Sequence, residues 1–173
     1  MRLTHGFVPL GQPHAVTIGN FDGLHLGHQA MLARLQDVAR ARGLSTCVLS
    51  FEPHPREFFA PDQAPARLSS LREKAECLRS LGIDRLHVFR FDRPFSALSP
   101  EAFIELALHR TLDARYVLVG DDFRYGAKRA GDFALLQRMG AAFANAFGAR
   151  PKNGLTEANP TTDAETIRAA TLQ

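Results

Sequence analysis

Ala15-Val16-Thr17-Ile18-Gly19-Asn20-Phe21-Asp22-Gly23-Leu24-His25-Leu26-Gly27-His28 reads as a short buried strand, a tight glycine turn and the start of a helix. Gly19 and Gly23 supply backbone conformations that residues with a Cβ adopt reluctantly. His25 and His28 fall where the first N–H groups of the coming helix lack intrahelical partners. Unpaired donors, the positive end of the helix dipole and two imidazoles together suit a phosphate group. Two other readings compete. The histidines, three apart with Asp22 nearby, have the look of zinc ligands, but no Glu stands in a metalloprotease base position and no third ligand is evident. They also fit ordinary surface or core histidines.

Outward from this stretch, Gln29 to Arg42 carries Met31, Leu32, Leu35, Val38 and Ala39 at helical spacing, and Gly43 stops it. Ser45 to Phe51 is a β-rich strand that Pro53 and Pro55 cannot extend. A loop to about Leu68 leads to a helix opened by Ser69 or Ser70, with Glu73 placed for a capping box and Leu71, Ala75, Leu78 and Leu81 inward. Asp84 to Phe91 is the third strand. Ser99-Pro100-Glu101 starts a helix with Phe103, Ile104, Ala107 and Leu108 inward, and Tyr116 to Val119 is the fourth strand. This alternation is an α/β fold: a Rossmann-like open, mostly parallel sheet with helices on both faces. Ligands of such sheets sit beyond the carboxyl ends of the strands. The loops at Gly19–Gly23, Glu52–Pro55 and Gly120–Gly126 all follow strands and so share one rim.

Asp132 is placed to cap a further helix with Phe133, Leu136, Met139, Phe143 and Phe147 on one stripe. Gly148 to Thr162 is rich in Gly, Pro, Asn and Thr, with no convincing fifth strand. Thr162-Asp163-Ala164-Glu165 fits a capping box for a short terminal helix from Asp163 to about Leu172. The chain divides into a domain over 1–147 and an atypical C-terminal segment over 148–173.

With 173 residues, 45% of them hydrophobic, the chain is long enough to bury a sizeable core. A net charge of +3 suits an anionic small molecule, whereas the absence of Trp and of any Lys/Arg block argues against nucleic acid. Cys47 and Cys77 lack metal-ligand spacing and read as reduced, partly buried core residues. No apolar run is long enough to cross a membrane and the N-terminus has no leader pattern, so a cytoplasmic protein is expected.

No P-loop, no Gly-x-Gly-x-x-Gly after a strand and no serine-nucleophile elbow is present. Gly19-Asn20-Phe21-Asp22-Gly23-Leu24-His25-Leu26-Gly27-His28 instead resembles the first signature of the nucleotidyltransferases of the His-x-Gly-His superfamily. Phe51-Glu52-Pro53-His54-Pro55 and Val119-Gly120-Asp121-Asp122-Phe123-Arg124-Tyr125-Gly126 resemble one branch, the FMN adenylyltransferase domain of bacterial FAD synthetases. The likeness covers roughly residues 12 to 139, in order and spacing. It implies a sheet of the nucleotidyltransferase type and the reaction of FMN with ATP to give FAD and pyrophosphate, with Mg2+ accompanying ATP. It also implies His25 and His28 as catalytic residues. Gly19, Asn20, Phe21, Asp22, Gly23, Asp121, Asp122, Arg124 and Arg168 would bind the nucleotide. Pro53, Pro55, Phe59 and Tyr125 would line the flavin site, with no metal held by the protein alone. ATP and FMN are then the partners, with no nucleic acid or membrane.

Two departures from the family pattern matter. A second signature of the form Ile-Ser-Ser-Thr-x-Ile-Arg has as its only counterpart Thr162-Asp163-Ala164-Glu165-Thr166-Ile167-Arg168, in which carboxylates stand where hydroxyls are expected. Asp163 and Glu165 would repel a triphosphate at close range. The riboflavin kinase domain that usually follows is also missing, so this chain is not expected to make FMN. Three readings stay open: an FMN adenylyltransferase, a degenerate nucleotide- or flavin-binding homologue without catalysis, and a sister nucleotidyltransferase with a non-flavin acceptor.

Overall fold

The computed structural model describes residues 1–120, 122–146 and 167–171, with 143–146 and 167–171 as backbone only. The chain runs β1 (Arg2–His5), β2 (His14–Ile18), α1 (Leu26–Arg42), β3 (Ser45–Glu52), α2 (Pro55–Phe59), α3 (Leu71–Ser80), β4 (Arg85–Arg90), α4 (Arg93–Ser96), α5 (Pro100–Phe103), β5 (Ala114–Gly120), α6 (Phe133–Ala146) and β6 (Ile167–Thr171). A π-helical stretch, Ile104–Thr111, continues α5, and Pro61–Gln63 and Ala127–Arg129 are 3-10 turns. One sheet has the order β1-β4-β3-β2-β5-β6, parallel except for β6. From β2 the chain steps to β3 and β4 on one side, then returns to place β5 on the other. The order therefore reverses at β2, the position where open α/β sheets take ligands.

Side chains of the inner strands alternate between two cores, as the two-residue period requires. Val16, Ile18, Cys47, Leu49, Phe89, Val117 and Val119 face α5, the π-helical stretch and α6. Ala15, Val48, Leu86, Val88, Tyr116 and Leu118 face α1 and α3. Helices thus cover both faces. Local caps sit where the sequence puts them. Gly43 closes α1 in the left-handed region at φ 65°, Ser70 and Glu73 form the capping box of α3, and Ser99 caps α5 ahead of Pro100. Asp132 accepts from Leu135 N–H at 2.8 Å at the start of α6.

Several expectations need correction. β1, absent from the sequence reading, is a short edge strand whose residues are largely exposed, so it carries no apolar run to betray it. The terminal helix expected over Asp163–Leu172 is, over Ile167–Thr171, a strand antiparallel to β5, with Ile167 opposite Gly120 and Arg168 opposite Val119. The open edge of β5 offers that backbone a full ladder, and such pairing overrides a local helix signal. Residues 148–166, including the expected loop and the carboxylates at Asp163 and Glu165, lie outside the described residues, as do the side chains of Phe143 and Phe147. Cys47 is buried, its thiol pushed up to about 12 by burial, but Cys77 is exposed on the outer side of α3.

His87 in β4 anchors β1. Its Nε2–H donates to Gly6 O at 3.0 Å, which leaves Nδ1 to accept from the Thr4 hydroxyl at 2.9 Å. Burial holds this imidazole down at about 4, against an ordinary value of 6.5. A histidine depressed in the fold stabilises it fully above the ordinary value and loses that contribution as pH falls towards the depressed one. His87→Ala should destabilise the chain by about 2–4 kcal/mol through lost packing and unpaired Thr4 and Gly6 groups. Denaturant unfolding between about pH 7.5 and about pH 5 should show the native protein losing stability, with a shallower loss in the variant.

Candidate active site

β2 ends in a backbone held outside ordinary helix and strand geometry. Gly19 N–H donates to Leu49 O at 3.0 Å, and then Phe21, Gly23 and Leu24 adopt φ of 49°, 71° and 35°. For Phe21 and Leu24 such a conformation costs about 1–2 kcal/mol each. Burial of both side chains, at 2% and 6% exposure, offsets it. Gly23 has a second constraint, since a Cβ there would stand 2.8 Å from Leu68 Cδ1.

Asp22 fastens the turn to the segment entering α3. Its carboxylate accepts from Leu68 N–H at 2.9 Å, Ser69 N–H at 2.8 Å and the Ser69 hydroxyl at 2.9 Å. Burial acts to raise this carboxyl, but the donated hydrogen bonds outweigh it and hold the group below its ordinary 3.8.

His25 is the N-cap of α1, its Nδ1 accepting from His28 N–H at 3.4 Å, so in the neutral ring its proton sits on Nε2. The two imidazoles stack with centroids 3.7 Å apart, and Phe21 packs on His28 at 4.9 Å. Burial and the neighbouring His25 hold His28 down at about 4. At neutral pH it is therefore an uncharged hydrogen-bonding group, and its buried Nδ1 has no partner among the described residues.

The second loop follows β3. His54, buried, caps α2, and its N–H donates to Glu57 at 3.0 Å. Arg67 clamps both carboxylates of the neighbourhood, Glu52 and Glu57, and this pairing holds Glu57 down at about 2. Pro53 and Pro55 are half-buried on this loop, while Phe59 is 67% exposed and meets Phe58 and Phe91 edge-on. Lys74 of α3 lies beneath the loop, 2% exposed, with Nζ 3.5 Å from Ser50 Oγ and 3.4 Å from His54 Nε2. The sequence reading gave no site role to Lys74, Ser50 or Arg67, and named Ser69 only as a possible opening residue of α3. Only Lys74 left a signal, a charge set between Leu71 and Leu78 on the apolar stripe of α3.

The third loop follows β5. Asp121 lies outside the described residues; Asp122 and Arg124 are exposed, with the Arg124 guanidinium donating to Phe123 O at 3.0 Å. Tyr125 is a core residue at 6% exposure, between Phe103 and a stacked Phe123. Arg168 enters through backbone register alone, beside Val119 at the carboxyl end of β5. The structure thus gathers Gly19–His28, Pro53–Phe59 and Asp122–Tyr125 at one end of the sheet. Among the described residues no group of three His, Cys, Asp or Glu could hold a metal ion. No described helix is long and apolar enough to cross a membrane.

A family profile described as FAD synthetase matches residues 9–157. The bifunctional riboflavin kinase/FMN adenylyltransferase of Escherichia coli K12 is 48% identical over 147 residues, covering 83% of this chain and 47% of that protein. The enzymes of the same description from Pseudomonas fluorescens and Haemophilus influenzae are 44% and 45% identical, over 81% and 75% of this chain and 46% and 42% of theirs. The chain therefore spans about half the length of these relatives. A solved structure described as a macrolide-efflux protein from Streptococcus pneumoniae superposes with a TM-score of 0.65 at 22% identity, over 73% of this chain and 44% of that one, a likeness of fold.

Asp22→Ala leaves the Leu68 and Ser69 amides without an acceptor. Amide exchange at those two positions should speed by roughly tenfold or more, with a stability loss of about 1–2 kcal/mol. Unchanged exchange would show that the turn and the α3 entry are not fastened through this carboxylate.

Proposed function

The chain belongs to the FAD synthetase family, and on that premise we propose that it transfers the adenylyl group of ATP to the phosphate of FMN, giving FAD and pyrophosphate. The observation that carries this reading is the strained turn and stacked histidine pair at the N-terminus of α1, at the strand end where the sheet order reverses. An FMN phosphate oxygen attacks the α-phosphorus of ATP, a new P–O bond forms, and the bond to the β-phosphate breaks as pyrophosphate leaves. Negative charge grows on the non-bridging and leaving oxygens, so positioning and electrostatic stabilisation supply the catalysis.

His25 and His28 are assigned to that charge, His28 as a neutral donor, beside the unpaired amides of the first turn of α1. Gly19 to Gly23 would shape the nucleotide pocket, with Asp121, Asp122, Arg124 and Arg168 completing it from β5 and β6. Arg124, exposed and permanently charged, is suited to phosphate. Pro53, Pro55 and Phe59 would border the flavin, Phe59 offering an open ring, while Tyr125 would act from beneath through Phe123. Magnesium fits this donor set as a companion of ATP, neutralising phosphate charge, since Asp22 is already committed to Leu68 and Ser69.

Incubation with FMN, ATP and magnesium should yield FAD, read by chromatography against a control without protein. His28→Ala should lower the rate by about 10²–10³-fold with the fold intact. ATP and FMN bound without FAD formation would overturn the transfer reading in favour of binding alone.

A further inference from the structure

Lys74 is the one buried ammonium that this site contains among the described residues, and no carboxylate pairs with it directly. It forms no ion pair there; its two hydrogen-bond neighbours, Ser50 Oγ and His54 Nε2, are both uncharged groups. Glu52, Asp22 and Glu57 attract it through space, but their hydrogen bonds go to other groups. Both oxygens of Glu52 are taken by Arg67, and Asp22 is held by the Leu68 and Ser69 amides. Burial still outweighs that attraction and disfavours the charged form of Lys74. Folds keep such groups where an anion completes them.

Its position says where that anion belongs. Ser50 Oγ, at 3.5 Å from the ammonium, also donates to Asn20 O at 3.4 Å, inside the turn after β2. His54 opens α2 in the loop after β3. The ammonium therefore lies between the turn assigned to the nucleotide and the loop assigned to the flavin, and its field reaches both His28 and His54 and lowers their proton affinity.

We propose that Lys74 is a positioning residue for phosphate: its buried ammonium joins the turns after β2 and β3 through Ser50 and His54 and draws the nucleotide phosphates onto that rim. This rests on the transfer reading above for the identity of the anion. Lys74 keeps the two loops in one arrangement and adds a positive charge that no carboxylate pairs with directly and that bound phosphates can complement.

The test measures binding of magnesium–ATP and of adenosine by calorimetry to the whole chain and to Lys74→Met and Lys74→Gln. Methionine keeps the apolar stem, and glutamine keeps the hydrogen bonds without the charge. Both variants should bind ATP about 10-fold or more weakly while adenosine affinity stays within about twofold. Equal weakening of both ligands would mark a merely structural lysine and overturn the proposal. Unchanged ATP affinity overturns it too, and leaves the transfer reading standing. Selective loss of ATP in a chain that makes no FAD supports Lys74 and removes the transfer reading; a native chain that binds no ATP removes both.

Discussion

The hydrogen bonds from Leu68 and Ser69 to the Asp22 carboxylate decide how the rim is built. They join the strained turn after β2 to the residues that begin α3, two positions ahead of the Ser70 cap for Leu68 and one for Ser69. A helix is stiff, so fixing its first turn fixes Lys74 one turn later. Lys74 in turn meets Ser50 and His54 at the end of β3. One acidic side chain thus sets the mutual position of two strand-end loops that never pair directly. The left-handed conformations of Phe21 and Leu24 are sustained by the same closure, which seals their side chains in the core beneath α1.

The electrostatic character of the rim follows from that geometry. His28 and His54 are held below the ordinary imidazole range by burial and by neighbouring positive groups, so neither adds charge to the resting site near neutrality. Glu52 and Glu57 are both held by Arg67, whose one positive charge offsets one of their two. The donors this rim offers an anion are one buried ammonium, the amides of the first turn of α1 and the neutral imidazole of His28. Fixed donors of this kind need little reorganisation when phosphate charge develops.

Much of this was legible in the sequence, for local reasons. Gly43, Ser70 with Glu73 and Ser99 with Pro100 act on backbone groups a few residues away, so caps announce themselves. The four inner strands are dense β-rich runs because both faces are covered. The glycine turn and its histidines were readable because their spacing carries chemistry and resembles a known signature. What escaped was non-local. β1 is an edge strand held by His87 from 83 residues away, and β6 exists because β5 had an edge to pair. Lys74 hid on the apolar stripe of α3, where a charge looks like an interruption until the opposite strand end is known. The π-helical turn at Ile104–Thr111, where Leu112 N–H reaches Ala107 O, sits in a segment whose pattern marks only a helix.

The role given to the turn after β2 depends on an uncharged His28. Resolving its imidazole nitrogens by 15N NMR through a pH titration of the ligand-free chain reads that state directly. The ring should remain neutral from neutral pH down to about 4. Proton uptake near the ordinary 6.5 would place His28 in an open, solvated setting and contradict the account.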